Sequence, residues 1–335
     1  MILPENWRGV KTAIIGAARE GTALARYLAH CGARVILSDS RPTDALQGRL
    51  AAIEGLDIEL ILGGNPPSLL DADVLFLSPG VPPTAPIVQE ARARGAPLSS
   101  EPRLFTQSVV APIVGVTGSS GKTTTTTLVG EMYAAQGLRT WVGGNIGAPL
   151  TERLLESERP DVAVMELSSF QLELFSPEYQ GASVAERRSA ASRVISVEGY
   201  SPHVAAVTNI TPNHLDRHPS MDDYIRAKSH ILAFQSPGDC AVLNWDDPVT
   251  RSLGAQAKGR VLYFSLEQPV AEGAYLQEGA LWARLDGRER ALCRLGEIKL
   301  RGRHNVANIL TAACCALAGE VGIESIHRVA PSFTG

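Results

Sequence analysis

The stretch GVTGSSGKTTTTT, Gly115 to Thr127, carries the most concentrated chemistry in the chain. Gly118 and Gly121 flank Ser119 and Ser120, so the backbone can curl without side-chain obstruction. Its successive N–H groups then form a nest for an anion. A helix starting near Thr123 adds the positive end of its dipole. Lys122 can reach outer phosphates, and the Thr123 hydroxyl can sit on Mg²⁺. The spacing departs from the commonest phosphate loop, G-x-x-x-x-G-K-[ST], which requires Gly at 116, where Val116 stands. The plain alternative is a Gly/Ser turn before an ordinary helix. Five consecutive threonines are poor helix formers, which points to a role beyond propensity.

Four further groups could work with such a loop. Glu166 opens ELSSFQLE at the end of an apolar run, where a carboxylate suits Mg²⁺, a hard ion that prefers oxygen ligands; a solvated strand-end Glu is the alternative. TNITPNHLDRH, 208–218, groups His214, Asp216, Arg217 and His218 behind a strand. It lacks a second metal-spaced pair, so it reads as a polar cluster lining a crevice, or a surface loop, rather than zinc. Lys228 lies on the apolar face of a helix capped by Ser220 and Asp223, four residues from Tyr224 and Leu232. Buried there it becomes a nucleophilic amine by desolvation; otherwise it snorkels to solvent. GAAREG, 16–21, lies between a strand and a helix, with Asp39 ending the next strand, as in a dinucleotide site. Ala18 in place of the middle Gly argues against a pyrophosphate, so a nucleotide moiety held by Asp39, Ser40 and Arg41 is the better expectation.

The elements that position these groups are legible from apolar runs. KTAIIG, ARVILSD and DADVLFLSPG are strands and REGTALARYLAHCG a helix stopped by Gly32, which predicts a helix-covered parallel sheet. A second α/β unit starts near Pro112, with strands in IVGVTG, DVAVMELSS, HVAAVTNIT and GDCAVLNWDD, and WVGGNIG between the first two. Residues 252–300 read as short antiparallel strands, and HNVANILTAACCALAGEVG as an apolar helix. QGASVAERRSAASRVISVEGYSPH, about 180–203, reads as a solvated surface insertion. The 335 residues, 44% hydrophobic, suffice for two or three domains. A net charge of −4, from 31 basic and 35 acidic residues, argues against nucleic-acid or membrane-surface partners. No run reaches the ~18–20 apolar residues that span a bilayer. Cys31, Cys240, Cys293, Cys314 and Cys315 form no CxxC pair and read as buried thiols in a reducing cytoplasm.

Together TGSSGKTTTT, GGNIG, ELSSFQLE, NHLDRH, YIRAK and HNVAN make the chain resemble the Mur ligases over essentially its whole length. That family's phosphate loop is T-G-x-x-G-K-[ST], which accounts for the spacing. ELSSFQL with GGNIG resembles the members that add D-glutamate to UDP-N-acetylmuramoyl-L-alanine. The resemblance implies a Rossmann-like parallel-sheet domain for the UDP-substrate, residues 1–110, then a P-loop-type α/β ATPase domain, 111–335. It implies an acyl phosphate made with ATP and attacked by the D-glutamate amine. Lys122, Glu166, His214 and Lys228 would be catalytic. Gly118, Ser119, Ser120, Gly121, Lys122, Thr123 and Thr124 would hold the ATP phosphates, and Asn305 and Asn308 the adenine nucleotide. Thr123, Glu166, His214 and a carbamylated Lys228 would bind two Mg²⁺ ions. Asn145 and Ser168 would contact the muramoyl substrate, and Arg19, Glu20, Asp39, Ser40, Arg41, Ser78 and Gly80 its UDP end. Family members continue into a third domain that contacts D-glutamate, where this sequence stops at PSFTG; the chain is therefore expected not to ligate alone. A monomer is expected. The alternatives are a non-catalytic module binding the UDP-muramoyl precursor and a nucleotide-hydrolysing switch.

Overall fold

A computed structural model describes residues 2–179, 194, 198–213 and 217–335. The fold divides into two compact units. The first holds five strands, β1 (Lys11–Ile15), β2 (Arg34–Asp39), β3 (Ile58–Leu62), β4 (Val74–Leu77) and β5 (Leu98–Ser99). Their order is β3-β2-β1-β4-β5, and every pairing is parallel. β1, β2 and β4 are mostly apolar and, after their first residue in β1 and β2, buried on both faces, as a central parallel strand must be. The strand order reverses between β1 and β4, which puts the loops after those strands at the topological switch point. Helix α1 (Arg19–His30) follows β1 and ends where Gly32 takes φ +80.

The first unit draws on more of the chain than residues 1–110. Ala148–Glu158 and the described residues of Glu173–Gly199 pack with it, which corrects a single boundary at 110/111. The reason lies in polar contacts. Buried Glu101 accepts the Thr151 amide at 2.9 Å and the Thr151 hydroxyl at 2.8 Å, and Arg26 pairs with Glu152 at 2.8 Å.

The second unit is built on β6 (Ile113–Thr117), β7 (Thr140–Gly144), β8 (Val162–Glu166), β9 (Val204–Val207), β10 (Cys240–Asn244), β11 (Arg260–Ser265), β12 (Gly273–Gln277), β13 (Ala280–Leu285) and β14 (Arg288–Arg294). Their order is β14-β13-β12-β11-β10-β9-β6-β8-β7. The expectation of antiparallel strands throughout 252–300 holds only for β12–β13–β14. β11 runs parallel to both β10 and β12, meeting β12 through its last three residues, where Gly273 sits so close to Tyr263 that a Cβ would lie 1.8 Å from its carbonyl oxygen. Helices α2 (Lys122–Ala135) and α4 (Arg303–Ala318) pack together over the sheet, burying Leu128, Val129 and Met132 against Ile309, Leu310 and Ala313. Helix α3 (Met221–Ala233) starts at Ser220, whose hydroxyl accepts the Asp223 amide at 3.1 Å.

Of the stretch expected as a surface insertion, 180–193 and 195–197 lie outside the described residues. Near its end Ser201 and Pro202 are buried, with the Ser201 hydroxyl donating to the His230 carbonyl at 3.0 Å, whereas Glu198 and His203 are exposed. All five cysteines are buried and unpaired, and no described helix is long and apolar enough to cross a membrane. Ile309, on α4, is fully buried in the core it shares with α2. Ile309→Ala is therefore expected to cost about 2–5 kcal/mol of unfolding free energy in a denaturant titration, against about 0.5 kcal/mol for a surface change.

Candidate active site

β6 delivers the chain into the glycine loop, and the loop's shape is imposed by its neighbours. Gly118 has φ +152 and Gly121 φ +80, both left-handed values that favour glycine. Space forbids a side chain as firmly as the dihedrals do. A Cβ on Gly118 would lie 1.9 Å from the Thr208 hydroxyl, and one on Gly121 2.3 Å from the Asn308 side-chain oxygen. Helix α2 begins with Gly121 as its cap, and its first internal bond is Thr125 N–H to Gly121 C=O at 3.0 Å. The amides of Lys122, Thr123 and Thr124 thus have no partner within the helix, and they carry its positive end.

Two lysines meet on this loop. The Lys122 ammonium donates to the Gly118 carbonyl at 2.9 Å and the Ser119 carbonyl at 3.4 Å. Lys228, on α3, reaches the same Gly118 carbonyl at 2.9 Å and the Thr117 hydroxyl at 3.3 Å. Lys228 is 2% exposed and lies 4.8 Å from the centroid of the Tyr224 ring, so it does not snorkel. Burial pushes its pKa down to about 7; the charge of Lys122 adds to that, and Glu166 opposes it. Burial lowers the Lys122 pKa too, again against Glu166.

Glu166, at the end of β8, is 2% exposed and faces the loop. One oxygen accepts the Thr123 hydroxyl at 2.8 Å, the other the Asn145 amide at 2.7 Å. It is no solvated strand-end carboxylate. A carboxylate and a hydroxyl oxygen side by side, next to a phosphate-sized nest, fit the oxygen preference of Mg²⁺. Among the described residues no three His, Cys, Asp or Glu side chains gather as a metal cluster.

The structure thus brings together Gly118 to Thr124, Asn145, Glu166, Lys228 and Asn308. Asn305 stands behind Asn308, accepting its amide at 3.1 Å, and donates to the Arg301 carbonyl at 2.7 Å. Ser168 turns to Gln171, with its N–H 2.9 Å and its hydroxyl 3.1 Å from the Gln171 side-chain oxygen. His214 and Asp216 lie outside the described residues. Of the same group, His218 is 2% exposed, stacked on Phe170 with ring centroids 5.3 Å apart and bonded to the Ser169 hydroxyl at 2.9 Å, while Arg217 is half-buried. Sequence reasoning missed the residues that clamp the loop from behind, namely Thr208, Asn209, Thr211 and Tyr224. TNIT after an apolar strand was the available signal, but nothing in it tells which loop it touches.

In the first unit, the Ser78 hydroxyl donates to the Gly16 carbonyl at 2.8 Å, joining the loops after β4 and β1. Asp39 is buried, and its carboxylate accepts the Ala17 amide at 2.8 Å and the Arg41 side chain at 2.8 and 3.0 Å. The Arg41 guanidinium holds the Asp39 pKa down to about 2. Asp39 therefore shapes the GAAREG loop from inside. Arg19, Ser40, Arg41 and Gly80 are exposed at the same strand ends, whereas Glu20 is buried.

The geometry of the second unit is a glycine loop at a helix N-terminus with a buried carboxylate against it, on an α/β sheet; the first unit carries its own strand-order switch point. The family model described as "Mur ligase middle domain" matches residues 116–181 and 180–316, and "Mur ligase MurD-like, N-terminal domain" matches 10–100. The chain belongs to the Mur ligase family. It is 41% identical over 329 residues to UDP-N-acetylmuramoylalanine--D-glutamate ligase of Symbiobacterium thermophilum, covering 97% of this chain and 67% of that one. The enzyme of the same name from Pelotomaculum thermopropionicum is 41% identical over 316 residues, 94% of this chain and 64% of its own length. The chain thus spans about two thirds of the length of these curated relatives. Among solved structures, the UDP-N-acetylmuramate:L-alanyl-gamma-D-glutamyl-meso-diaminopimelate ligase of Neisseria meningitides shares the fold, with TM-score 0.63 at 20% identity over 98% of this chain and 99% of that one. UDP-N-acetylmuramate-alanine ligase of Thermotoga maritima gives 0.53 at 19%, over 97% of this chain and 69% of that one.

Two outcomes follow from the geometry. Gly121→Ala should fold but lose about tenfold or more in affinity for a non-hydrolysable ATP analogue, since the new Cβ displaces Asn308 and strains the loop. Lys228 carries a folded pKa of about 7 against 10.5 for an ordinary lysine. The unfolded chain then binds more protons between those values, so stability rises with pH across that window. The difference in unfolding free energy between the parent and Lys228→Met should shift in the parent's favour by up to about 1.4 kcal/mol per pH unit from pH 7 to 10. A pH-independent difference would show that Lys228 is solvated.

Proposed function

We propose that this chain supplies the ATP-binding and precursor-binding parts of an ATP-dependent ligase, which joins D-glutamate to UDP-N-acetylmuramoyl-L-alanine in cytoplasmic peptidoglycan precursor synthesis. The observation that carries the reading is the convergence of Lys122, Lys228, Thr123 and Glu166 on one glycine loop. The names of the relatives supply the substrates.

In this reading Lys122 and the free amides at the start of α2 neutralise the ATP phosphates. The substrate carboxylate attacks the γ-phosphorus, and the bond to ADP breaks. The D-glutamate amine then adds to the acyl phosphate, and the tetrahedral intermediate collapses with loss of phosphate and a proton. Thr123 and Glu166 would hold Mg²⁺, which supplies charge neutralisation for the phosphoryl group in flight. Their present hydrogen bond, 2.8 Å long, keeps both oxygens aimed at the same space. Asn305 and Asn308 would take the adenine nucleotide, Asn145 and Ser168 the muramoyl part, and His214 the acyl end or a second Mg²⁺. The UDP end would lie on the first unit near Arg19, Glu20, Asp39, Ser40, Arg41, Ser78 and Gly80.

Lys228 fits the carbamate expectation chemically. Its amine adds to CO₂ only when neutral, giving a carbamate and releasing one proton. A pKa of about 7 leaves roughly half the amine neutral at pH 7, about a thousandfold or more above an ordinary lysine. The product is an oxygen ligand that removes a buried cation from beside Lys122. With ¹³C-labelled bicarbonate, the parent should show a carbamate carbon resonance that Lys228→Met lacks.

The activity is tested by phosphate release with ATP, UDP-N-acetylmuramoyl-L-alanine and D-glutamate, measured on this chain and on the product of its whole reading frame. Release that requires both precursor and D-glutamate, and falls about a hundredfold or more in Glu166→Gln, is expected. Hydrolysis indifferent to both would favour a nucleotide switch, and precursor binding without release from either preparation a binding module.

A further inference from the structure

The phosphate loop is clamped from behind by the segment that leaves β9, and Asn209 is the centre of the clamp. Its side-chain oxygen accepts the Ser120 amide at 3.0 Å and lies 3.3 Å from the Ser120 hydroxyl. Its side-chain nitrogen donates to the Ser120 carbonyl at 3.1 Å, and its backbone carbonyl accepts the Ser119 amide at 2.9 Å. Thr208 adds a bond from its hydroxyl to the Ser120 carbonyl at 2.7 Å. The segment is itself pinned: Asn244 donates to the Thr208 carbonyl at 3.0 Å, and Asp247 accepts the Ile210 amide at 2.8 Å while capping the next helix.

Two of the five amides between Ser119 and Thr123 are therefore already engaged by Asn209, while those of Lys122 and Thr123 have no partner within α2. An anion arriving at the loop meets a divided nest. It can reach the amides at the helix start but not those of Ser119 and Ser120.

Resting on the ATP reading of this loop, we propose that Asn209 is a positioning residue for the nucleotide: it fixes the loop before ATP arrives and directs the phosphates to the start of α2 beside Lys122. The amide side chain is suited to this and a carboxylate is not. Asp at 209 could still accept from Ser120, but it could not donate to the Ser120 carbonyl, and it would place a negative charge next to the triphosphate.

The test begins with the unaltered chain. Hydrogen exchange without nucleotide should find the Ser119 and Ser120 amides protected and those of Lys122 and Thr123 exchanging fast, the latter becoming protected with a non-hydrolysable ATP analogue. Binding of that analogue is then measured by calorimetry for the parent, Asn209→Ala and Asn209→Asp, alongside UDP-N-acetylmuramoyl-L-alanine. The expected result is a loss of about tenfold for Ala and a larger loss for Asp, with precursor affinity and the thermal midpoint held. Fast exchange at Ser119 and Ser120, unchanged nucleotide affinity in both variants, or a parallel fall in both affinities and in the midpoint would overturn the proposal. A parent that binds no analogue while its Ser119 and Ser120 amides are protected would instead remove the ATP reading, and the role of Asn209 with it.

Discussion

Two lysine amines share one carbonyl oxygen, that of Gly118, each at 2.9 Å. Most of the second unit can be understood from that convergence. Two cations on one acceptor, Lys228 buried and Lys122 partly buried, repel each other, and Lys228 has little water to screen it. Glu166 answers part of the charge, yet its oxygens are already committed to Thr123 and Asn145. The site is left short of negative charge. It can be relieved by a proton leaving Lys228, by an anion entering the nest, or by conversion of one amine to an acid. An arrangement costly when empty is the usual sign of a site built for a charged ligand.

The convergence constrains the backbone. Gly118 must present its carbonyl to both amines while the chain turns, so it takes φ +152 with the Thr208 hydroxyl pressed where a Cβ would be. The lysines come from different places in the sequence, one at the start of α2 and one in the third turn of α3. Only a sheet that sets β6 between β8 and β9 brings the loop, the Glu166 carboxylate and the clamp of Thr208 and Asn209 to one end. The first unit uses a buried carboxylate differently. Asp39 accepts the Ala17 amide and the Arg41 side chain, so it holds the loop after β1 in shape.

Much of this was legible in the sequence wherever one residue type has few alternatives. Apolar runs located β1, β2, β4, β6, β8, β9 and β10, because strands buried on both faces leave no room for polar alternation. The helical period put Lys228 on the apolar face of α3 but left snorkelling open; the structure buries it. β3 escaped notice since it is an edge strand whose Glu59 and Leu60 are exposed, leaving a weak pattern. The return of Ala148–Glu158 to the first unit rests on Glu101 and Thr151, 50 residues apart, a pairing that no local period signals. The loop clamp was hidden for a related reason: half its bonds run through backbone atoms, which carry no residue identity.

The threonine run shows how local and tertiary demands are traded. Thr123 gives its hydroxyl to Glu166, and Thr127 returns its own to the Thr123 carbonyl at 3.0 Å. Thr125 and Thr126 are fully buried, and among the described residues their hydroxyls have no hydrogen-bond partner. Those two positions lose on helix propensity and on desolvation at once. Packing offsets both losses, because α2 lies against α4 along its length and shares its apolar core. The helix that carries the phosphate loop is therefore held by its neighbour rather than by its own residues. Since Asn308 of that neighbour also closes the space beside Gly121, the element that stabilises α2 is the one that shapes its N-terminus. Stability and anion geometry are coupled through one helix–helix contact, so a substitution that loosened α4 would reach the loop even without touching it.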